Sequence, residues 1–370
     1  MRIRSVTPLW ISLPLTEPLK LANHVITTAD NLLVRVEDTD GNVGWGEASS
    51  APTMTGETPE GMIAAVKFML PRIEGMEVED VAGFGSRIDG LMYGNAAAKS
   101  ALDMAVYDLA GKRQKKPVAE LLGGVVREKI PVLWMLAANK LQPDVAAAQR
   151  MAAEGFVAYK VKIGSATPEA DLERATAVRA ALGAGAHISA DANQGYSREE
   201  ALRFARGAQT AGLDFIEQPI AYHDLEGMAA VAAATPVPIG TDEGVHSIED
   251  IEQHHALKAA RGASLKTIKL GGLSAVMEAG RRMHALGMHV NLAGKIADSS
   301  VASAAIVHLA AALPQLDWDV SITCQYLTQD IAREPVKIVG GHAYVTDRPG
   351  LGIEVDESRL SRLSGERLAA

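Results

Sequence analysis

Five charged residues recur at the interval of one strand-plus-helix unit. Lys162, Asp191, Glu217, Asp242 and Lys266 follow one another at steps of 29, 26, 25 and 24 residues. Each sits at or just past the end of a short apolar segment, and strand ends seldom carry charge that is neither paired nor used. Three carboxylates on adjacent strands, with no His or Cys among them, form an all-oxygen donor set. Such a set suits Mg²⁺, with Mn²⁺ as the alternative. The two lysines flank it. A substrate carboxylate would bind the cation, a lysine would remove the proton on the adjacent carbon, and the cation would stabilise the resulting enediolate. Positive charge nearby would lower a lysine's pKa towards neutrality, as a general base requires. Lys160 shares a strand face with Lys162. Two neighbouring ammonium groups are costly to bury unless acids face them. Any one of these residues alone would read as a member of an ion-pair network. The regular repeat of five is what points to chemistry.

The elements that must position them are short apolar segments, each followed by a helix-like stretch rich in Ala and Glu. They fall at 130–134, 158–163, 187–190, 213–216, 238–241, 264–268, 289–292 and, more weakly, 316–322. Strands alternating with helices indicate a parallel α/β sheet, and eight units indicate a closed (β/α)8-type barrel with its chemistry on the C-terminal rim. A doubly wound sheet would need a glycine-rich turn after its first strand. The candidate, Gly183-Ala-Gly-Ala-His187, precedes a strand instead.

Ahead of the barrel, residues 1–50 alternate as antiparallel β, with Asp38-Thr-Asp-Gly-Asn42 as a turn and Val43-Gly-Trp-Gly-Glu-Ala48 as a return strand. That turn lacks the distal Glu of a calcium loop. Residues 16–30, with Pro18, Lys20, Asn23 and His24, read as a polar loop long enough to be functional. Helical spacing follows at Met62, Ala65, Val66, Met69 and at Ala101, Met104, Ala105, Leu109. The expected division is an α+β capping domain at 1–125, the barrel at 126–336, and a β-like C-terminal return to the cap at 337–370.

The chain has 370 residues, 48% hydrophobic and 22% charged, and a net charge of −9. That balance argues against nucleic acid or an anionic membrane as a partner. One cysteine, Cys324, excludes an intrachain disulfide. It fits a reducing compartment, and a lone thiol without an activating partner is inert. The N-terminus carries no secretory pattern, and no apolar run reaches the roughly 20 residues of a membrane span. The expected location is the cytoplasm.

Lys160-x-Lys162, Asp191-x-Asn193, Ile216-Glu-Gln-Pro219, Asp242-Glu243 and Lys266-x-x-Lys269-x-Gly-Gly272, in this order and spacing, resemble the enolase superfamily. Within it they resemble the muconate-lactonizing-enzyme subgroup of the mandelate racemase/muconate lactonizing enzyme family, over nearly the whole chain. The resemblance implies that Lys162 and Lys266 are the acid/base pair and that Asp191, Glu217 and Asp242 bind Mg²⁺. It implies that Lys160 lies near the substrate carboxylate and lowers the pKa of Lys162. Asn193 and Glu243 would back the metal, and Lys269 would make a structural ion pair. The 16–30 loop, with His24, would close over the substrate, and Thr53–Thr55 would give a second contact. A homo-oligomer, dimer or octamer, is also implied.

Departures from the subgroup bear on the substrate, a small carboxylate. Aligned on Trp318, the subgroup's Thr-Glu-Leu-Phe-Gly-Pro becomes Val320-Ser-Ile-Thr-Cys-Gln325, so the acid becomes Ser321. The Asp-x-Asp with which dipeptide epimerases hold an amine becomes Ser321-Ile-Thr323. Lys295 stands where the subgroup often has Met. Facing the cavity it would pair with a second substrate anion, as in a dicarboxylate; otherwise it would bridge to Asp298. The leading expectation is muconate-type cycloisomerisation. Racemisation or epimerisation of an N-substituted amino acid, or lyase chemistry such as dehydration or o-succinylbenzoate synthesis, are alternatives on the same residues. Two rivals come from other classes: a Schiff-base lyase using Lys162 or Lys266, and a non-catalytic binding protein.

Overall fold

The computed structural model describes residues 1–20 and 25–364. Strands β1 (Ile3–Lys20), β2 (Val25–Asp38) and β3 (Val43–Ser49) form an antiparallel sheet. Helices α1 (Pro59–Ile73), α2 (Phe84–Asp89) and α3 (Ala96–Gln114) pack against it. The apolar positions of α1 and α3 named above are all buried, and all but Met104, which joins the barrel-side core, lie in that contact. Gly44 and Gly46 explain how closely α3 lies on β3. A Cβ at either would stand 2.1 or 2.0 Å from the carbonyl oxygens of Ala105 and Ala101.

The polar loop expected at 16–30 is largely strand. β1 continues to Lys20, β2 resumes at Val25, and Leu19 pairs with Ile26 beyond an irregularity after Pro14. The β-branched run Val25-Ile-Thr-Thr28 favours extended backbone and overrides the polarity of the segment. His24 lies outside the described residues.

The barrel is formed by β5 (Leu133–Leu136), β6 (Ala158–Lys162), β7 (His187–Asp191), β8 (Phe215–Glu217), β9 (Ile239–Thr241), β10 (Gly262–Leu265), β11 (His289–Ala293) and β12 (Val320–Ser321), in sequential parallel order. A parallel bridge between Val132 and Val320 closes it. The first expected segment, 130–134, divides in two. Its start belongs to β4 (Lys129–Pro131), which pairs antiparallel with β13 (His342–Tyr344). Pro131 has no amide hydrogen to continue a central ladder, so the barrel strand begins beyond it. The sixth strand stops at Leu265 rather than 268, and Lys266 leads into a one-turn helix at Thr267–Leu270. β12 is followed directly by a 3-10 turn at Cys324–Tyr326, and the next helix comes only at Glu357–Leu363, beyond β13. The N-terminal mouth of the barrel is plugged by Trp318, stacked on Phe215 at 4.1 Å between ring centroids. Among the described residues no helix is long and apolar enough to cross a membrane.

The C-terminal segment touches both halves. β13 lies on β4 at the barrel foot. Gly350 O accepts from Val118 N (2.9 Å), and Leu351 N donates to Asp108 of α3 (2.8 Å). Cap and barrel also meet at Glu47, which is fully buried. It accepts from Asn31 Nδ2 (2.7 Å), Ser299 N (2.9 Å), Ala302 N (3.1 Å) and Ser299 Oγ. Burial, then the neighbouring charge of Asp298, pushes its pKa up to about 7. Glu47→Ala would orphan those four buried donors. A loss of about 3 kcal/mol of unfolding free energy is expected in chemical denaturation. A change under about 0.5 kcal/mol, typical of a surface site, would contradict this packing role.

Candidate active site

Strand register explains why residues a unit apart in sequence converge. Lys162, Asp191 and Glu217 are direct partners across β6, β7 and β8. Glu217 then pairs with Gly240, and Gly240 with Gly262. Asp242 lies two residues beyond Gly240, and Lys266 four beyond Gly262. Barrel strands are tilted, so a hydrogen-bonded row slopes relative to the axis. The added residues bring the later groups back to the rim. All five line one cavity, together with Lys160, Asn193, Lys295, Ser321 and Thr323.

Inside it, ammonium and carboxylate groups interlock. Lys162 Nζ donates to Asp191 Oδ2 (2.5 Å) and to Asn193 Oδ1 (2.7 Å). Lys160 pairs with Glu217 and lies 4.0 Å from Asp191. Lys266 and Lys269 share Asp242, Lys269 at 2.8 Å. Lys269 also donates to Ser264 O (2.9 Å), a structural role. All seven groups are buried. Burial alone would lower the pKa of Lys160, but Glu217 and Asp191 hold it above the ordinary lysine value. Lys266 is likewise raised by Asp242 against the effect of burial. For these two lysines a carboxylate in direct contact outweighs burial and more distant ammonium groups.

The remaining residues fall less uniformly. Asn193 bridges Lys162 and Glu243, donating to Glu243 Oε1 (3.1 Å). Thr53 is exposed and does not line the cavity; its neighbour Met54 does. Lys295 faces the cavity and makes no ion pair with Asp298. The Asp298 carboxylate is taken by Ser49 Oγ (2.5 Å) and by the Lys295 backbone N–H (2.9 Å). Cys324 is buried away from any base, and burial pushes its thiol up to about 12, as an inert cysteine requires.

Several site residues escaped the sequence reading. Tyr326 lines the cavity, and its hydroxyl accepts from Met135 N (3.1 Å). The cap is tied to the same segment by Thr16 Oγ1, which donates to Tyr326 O (3.2 Å). Ser264 donates to Glu217 Oε1 (2.7 Å) and to Asn291 (2.9 Å). A polar residue two before Lys266, on the same strand face, was the available signal for Ser264. Gln218 carries the most local order. Its Oε1 accepts from Thr241 Oγ1 (3.0 Å), Asp242 N (2.9 Å) and Gly244 N (3.2 Å), and its own φ is +35°. A left-handed conformation at a non-glycine residue persists where surrounding bonds hold it.

Among the described residues, no three Asp, Glu, His or Cys side chains gather around one point as a metal site requires. Each of the three acids turns to a lysine. The donor chemistry nonetheless fits a hard divalent cation: three carboxylates on successive strands, and beside them Glu243 Oε2, a buried acceptor with no partner. Binding would need Asp191, Glu217 and Asp242 to rotate away from their lysines.

A (β/α)8-type barrel with this rim beneath an α+β cap has counterparts among known proteins. Residues 5–123 match the mandelate racemase / muconate lactonizing enzyme N-terminal domain, and residues 144–359 match the enolase C-terminal domain-like family. The chain belongs to the mandelate racemase/muconate lactonizing enzyme family of the enolase superfamily. Muconate cycloisomerase 1 of Pseudomonas putida is 34% identical over 352 residues, 94% of each chain. L-Ala-D/L-Glu epimerase of Clostridium acetobutylicum is 31% identical, covering 96% of this chain and 99% of its own. The crystal structure of muconate lactonizing enzyme from Pseudomonas fluorescens complexed with muconolactone matches with a TM-score of 0.95 at 32% identity, over 98% of this chain and 99% of that one. The chain is an isomerase of this family.

Gln218→Ala is expected to lower unfolding free energy by about 2 kcal/mol, since it orphans two buried amides and a hydroxyl. Denaturation curves superimposable on the parent's would show that Gln218 does not hold Asp242 in place.

Proposed function

We propose that the protein abstracts the proton α to the carboxylate of a small molecule, with Mg²⁺ or Mn²⁺ held by Asp191, Glu217 and Asp242. One observation carries this reading. Lys162 and Lys266 enter a single cavity from the second and sixth of eight strands, on opposite sides of the barrel, with the three carboxylates on the strands between them. The cation, when bound, supplies positive charge that favours a negatively charged substrate carboxylate. Lys160 stands beside that position and orients the carboxylate through its ammonium group. One of Lys162 and Lys266 takes the α-proton at Nζ, and the electron pair delocalises into the carboxylate as an enediolate. Asn193 fixes the direction of Lys162. Burial of the whole set excludes bulk water, which strengthens each of these interactions.

The leading reaction is a cycloisomerisation, in which one lysine exchanges a proton while a carbon–oxygen bond forms or breaks. A second reading, racemisation or epimerisation, is favoured by the opposed placement of the lysines. A proton taken from one face by one lysine can be replaced on the other face by its counterpart. Ser321 and Thr323 carry no charge to hold a substrate amine, which argues against a free dipeptide amine as the recognised group.

The test is incorporation of deuterium at the α-carbon of a panel of small carboxylates in D₂O with Mg²⁺, read by NMR. Exchange is expected for at least one, falling by about 100-fold or more in Lys162→Ala or Lys266→Ala. Absence of exchange for every acid, or full exchange in the double variant, would refute the reading.

A further inference from the structure

On the helix side of strand two lies a charge network that the proposed chemistry does not use. Arg174, Asp144 and Asp171 are all buried, two acids around one base. Arg174 Nη1 donates to Asp144 Oδ2 (2.7 Å). Its Nη2 donates to Asp171 Oδ1 (2.6 Å) and to the backbone carbonyl of Lys162. Asp144 comes from the helix at Leu141–Ala153, which follows strand one, and the other two come from the helix at Pro168–Leu182, which follows strand two. A planar guanidinium serves several acceptors in fixed directions, which an ammonium on a flexible stem does not. Replacing a buried ion set by apolar side chains of similar volume is often neutral or stabilising. Its use therefore lies in what it holds.

It holds Lys162 at both ends. The backbone carbonyl is fixed directly. The ammonium group donates to Asn193 Oδ1 (2.7 Å), on the loop after strand three. Three residues further along that loop, Tyr196 OH donates to Asp171 Oδ2 (2.6 Å), which also accepts from Gly164 N (2.9 Å). Burial, then the charge of Asp171, pushes the Tyr196 hydroxyl up, so it stays a donor at any working pH. Asn193 and Gln194 are left-handed, at φ +40° and +66°, a shape that outside contacts must maintain. The same loop lies tight on the one after strand two: a Cβ at Gly195 would stand 2.7 Å from Gly164 O. On the other side, Asp144 Oδ1 accepts from Ala138 N (3.0 Å), in the loop after strand one. Three successive rim loops are joined through one guanidinium.

Lys266 has a different support. Its segment packs on the cap: Ile268 is buried in the cap's apolar core, and Leu273 N donates to Asp103 Oδ2 of α3 (2.7 Å). Among the described residues, the hydrogen bonds of Arg174, Asp144 and Asp171 all go to strands one to three, their loops and their helices. The two opposed lysines are braced independently.

We propose that Arg174 is a positioning residue for Lys162 and not for Lys266. It sets the backbone of Lys162 and, through Asp171 and Tyr196, the loop that receives its ammonium group. This rests on the α-proton-abstraction reading above, and it assigns the brace used by one half of the lysine pair. Without it Nζ shifts relative to the α-carbon, and a misplacement of about 1 Å can cost a reaction roughly 100-fold.

The test follows the two faces of the α-carbon separately, in full-length protein with Mg²⁺ in D₂O. The probes are the L and D forms of N-acetylalanine, N-acetylphenylalanine, N-acetylglutamate and N-acetyllysine, with loss of the α-proton read by NMR. Lys162→Ala identifies the form from which Lys162 takes the proton, and Lys266→Ala identifies the other. In Arg174→Met, exchange of the Lys162 form should fall about 10-fold or more, while exchange of the Lys266 form stays within about 2-fold of the parent. Arg174→Lys keeps the charge without the fork, and its loss should be intermediate and on the same side. Where circular dichroism shows that Arg174→Met does not fold, Tyr196→Phe carries the test. It removes one hydroxyl, leaves the buried charges in place, and should give the same one-sided loss at smaller size. An equal loss on both faces marks general destabilisation and overturns the assignment, as does unchanged exchange on both. Exchange by the parent without a one-sided loss in the variants removes the Arg174 assignment alone. No exchange of any probe by the parent removes the underlying reading and the assignment with it.

Discussion

The three rim carboxylates are buried only in direct contact with ammonium groups. Lys160, Lys162 and Lys266 share a cavity with the three carboxylates, and Lys269 backs Asp242 from behind it, in surroundings where an unmatched ion costs several kcal/mol. The barrel solves this by geometry. Register places Lys162, Asp191 and Glu217 side by side, and strand tilt returns Asp242 and Lys266 to the same level. Gln218 then clamps Asp242 through its backbone, and Ser264 fixes Glu217. The backbone that carries these groups is thereby fixed at or just past strand ends.

The cap is part of that solution. Glu47 and Asn31 hold the segment after strand seven, and Thr16 holds the segment after strand eight. These two walls carry Lys295, Ser321 and Thr323. The charged groups other than Lys295 thus come from strands two to six, and the wall the cap braces comes from strands seven and eight.

The chemical residues were legible because they obey two simple periods, alternation within a strand and one strand-helix unit between strands. Chain length and the eight apolar segments gave the barrel for the same reason. What was not legible depends on three-dimensional neighbours. The split at Pro131 follows from which strand must be central, which no local pattern states. The extension of β1 and β2 through the 16–30 region reflects pairing of Leu19 and Lys20 with Ile26 and Val25 on the other strand. Met54 rather than Thr53 enters the cavity because of how the loop lies, and side-chain alternation does not apply to a loop. The orientation of Lys295 stayed open in the sequence, since it depended on whether Asp298 was free. Ser49, more than two hundred residues away in the chain, donates to that carboxylate, a contact no local pattern states.

The central claim is that the three rim carboxylates form a divalent-cation site between opposed lysines. Calorimetric titration of the full-length protein with Mg²⁺ and with Mn²⁺ tests it most directly. The expected result is one cation bound per chain, with binding weakened at least about 10-fold by Asp191→Asn, Glu217→Gln or Asp242→Asn singly, the loss of one charged ligand. No cation bound by the parent, or binding unchanged in all three variants, would contradict it.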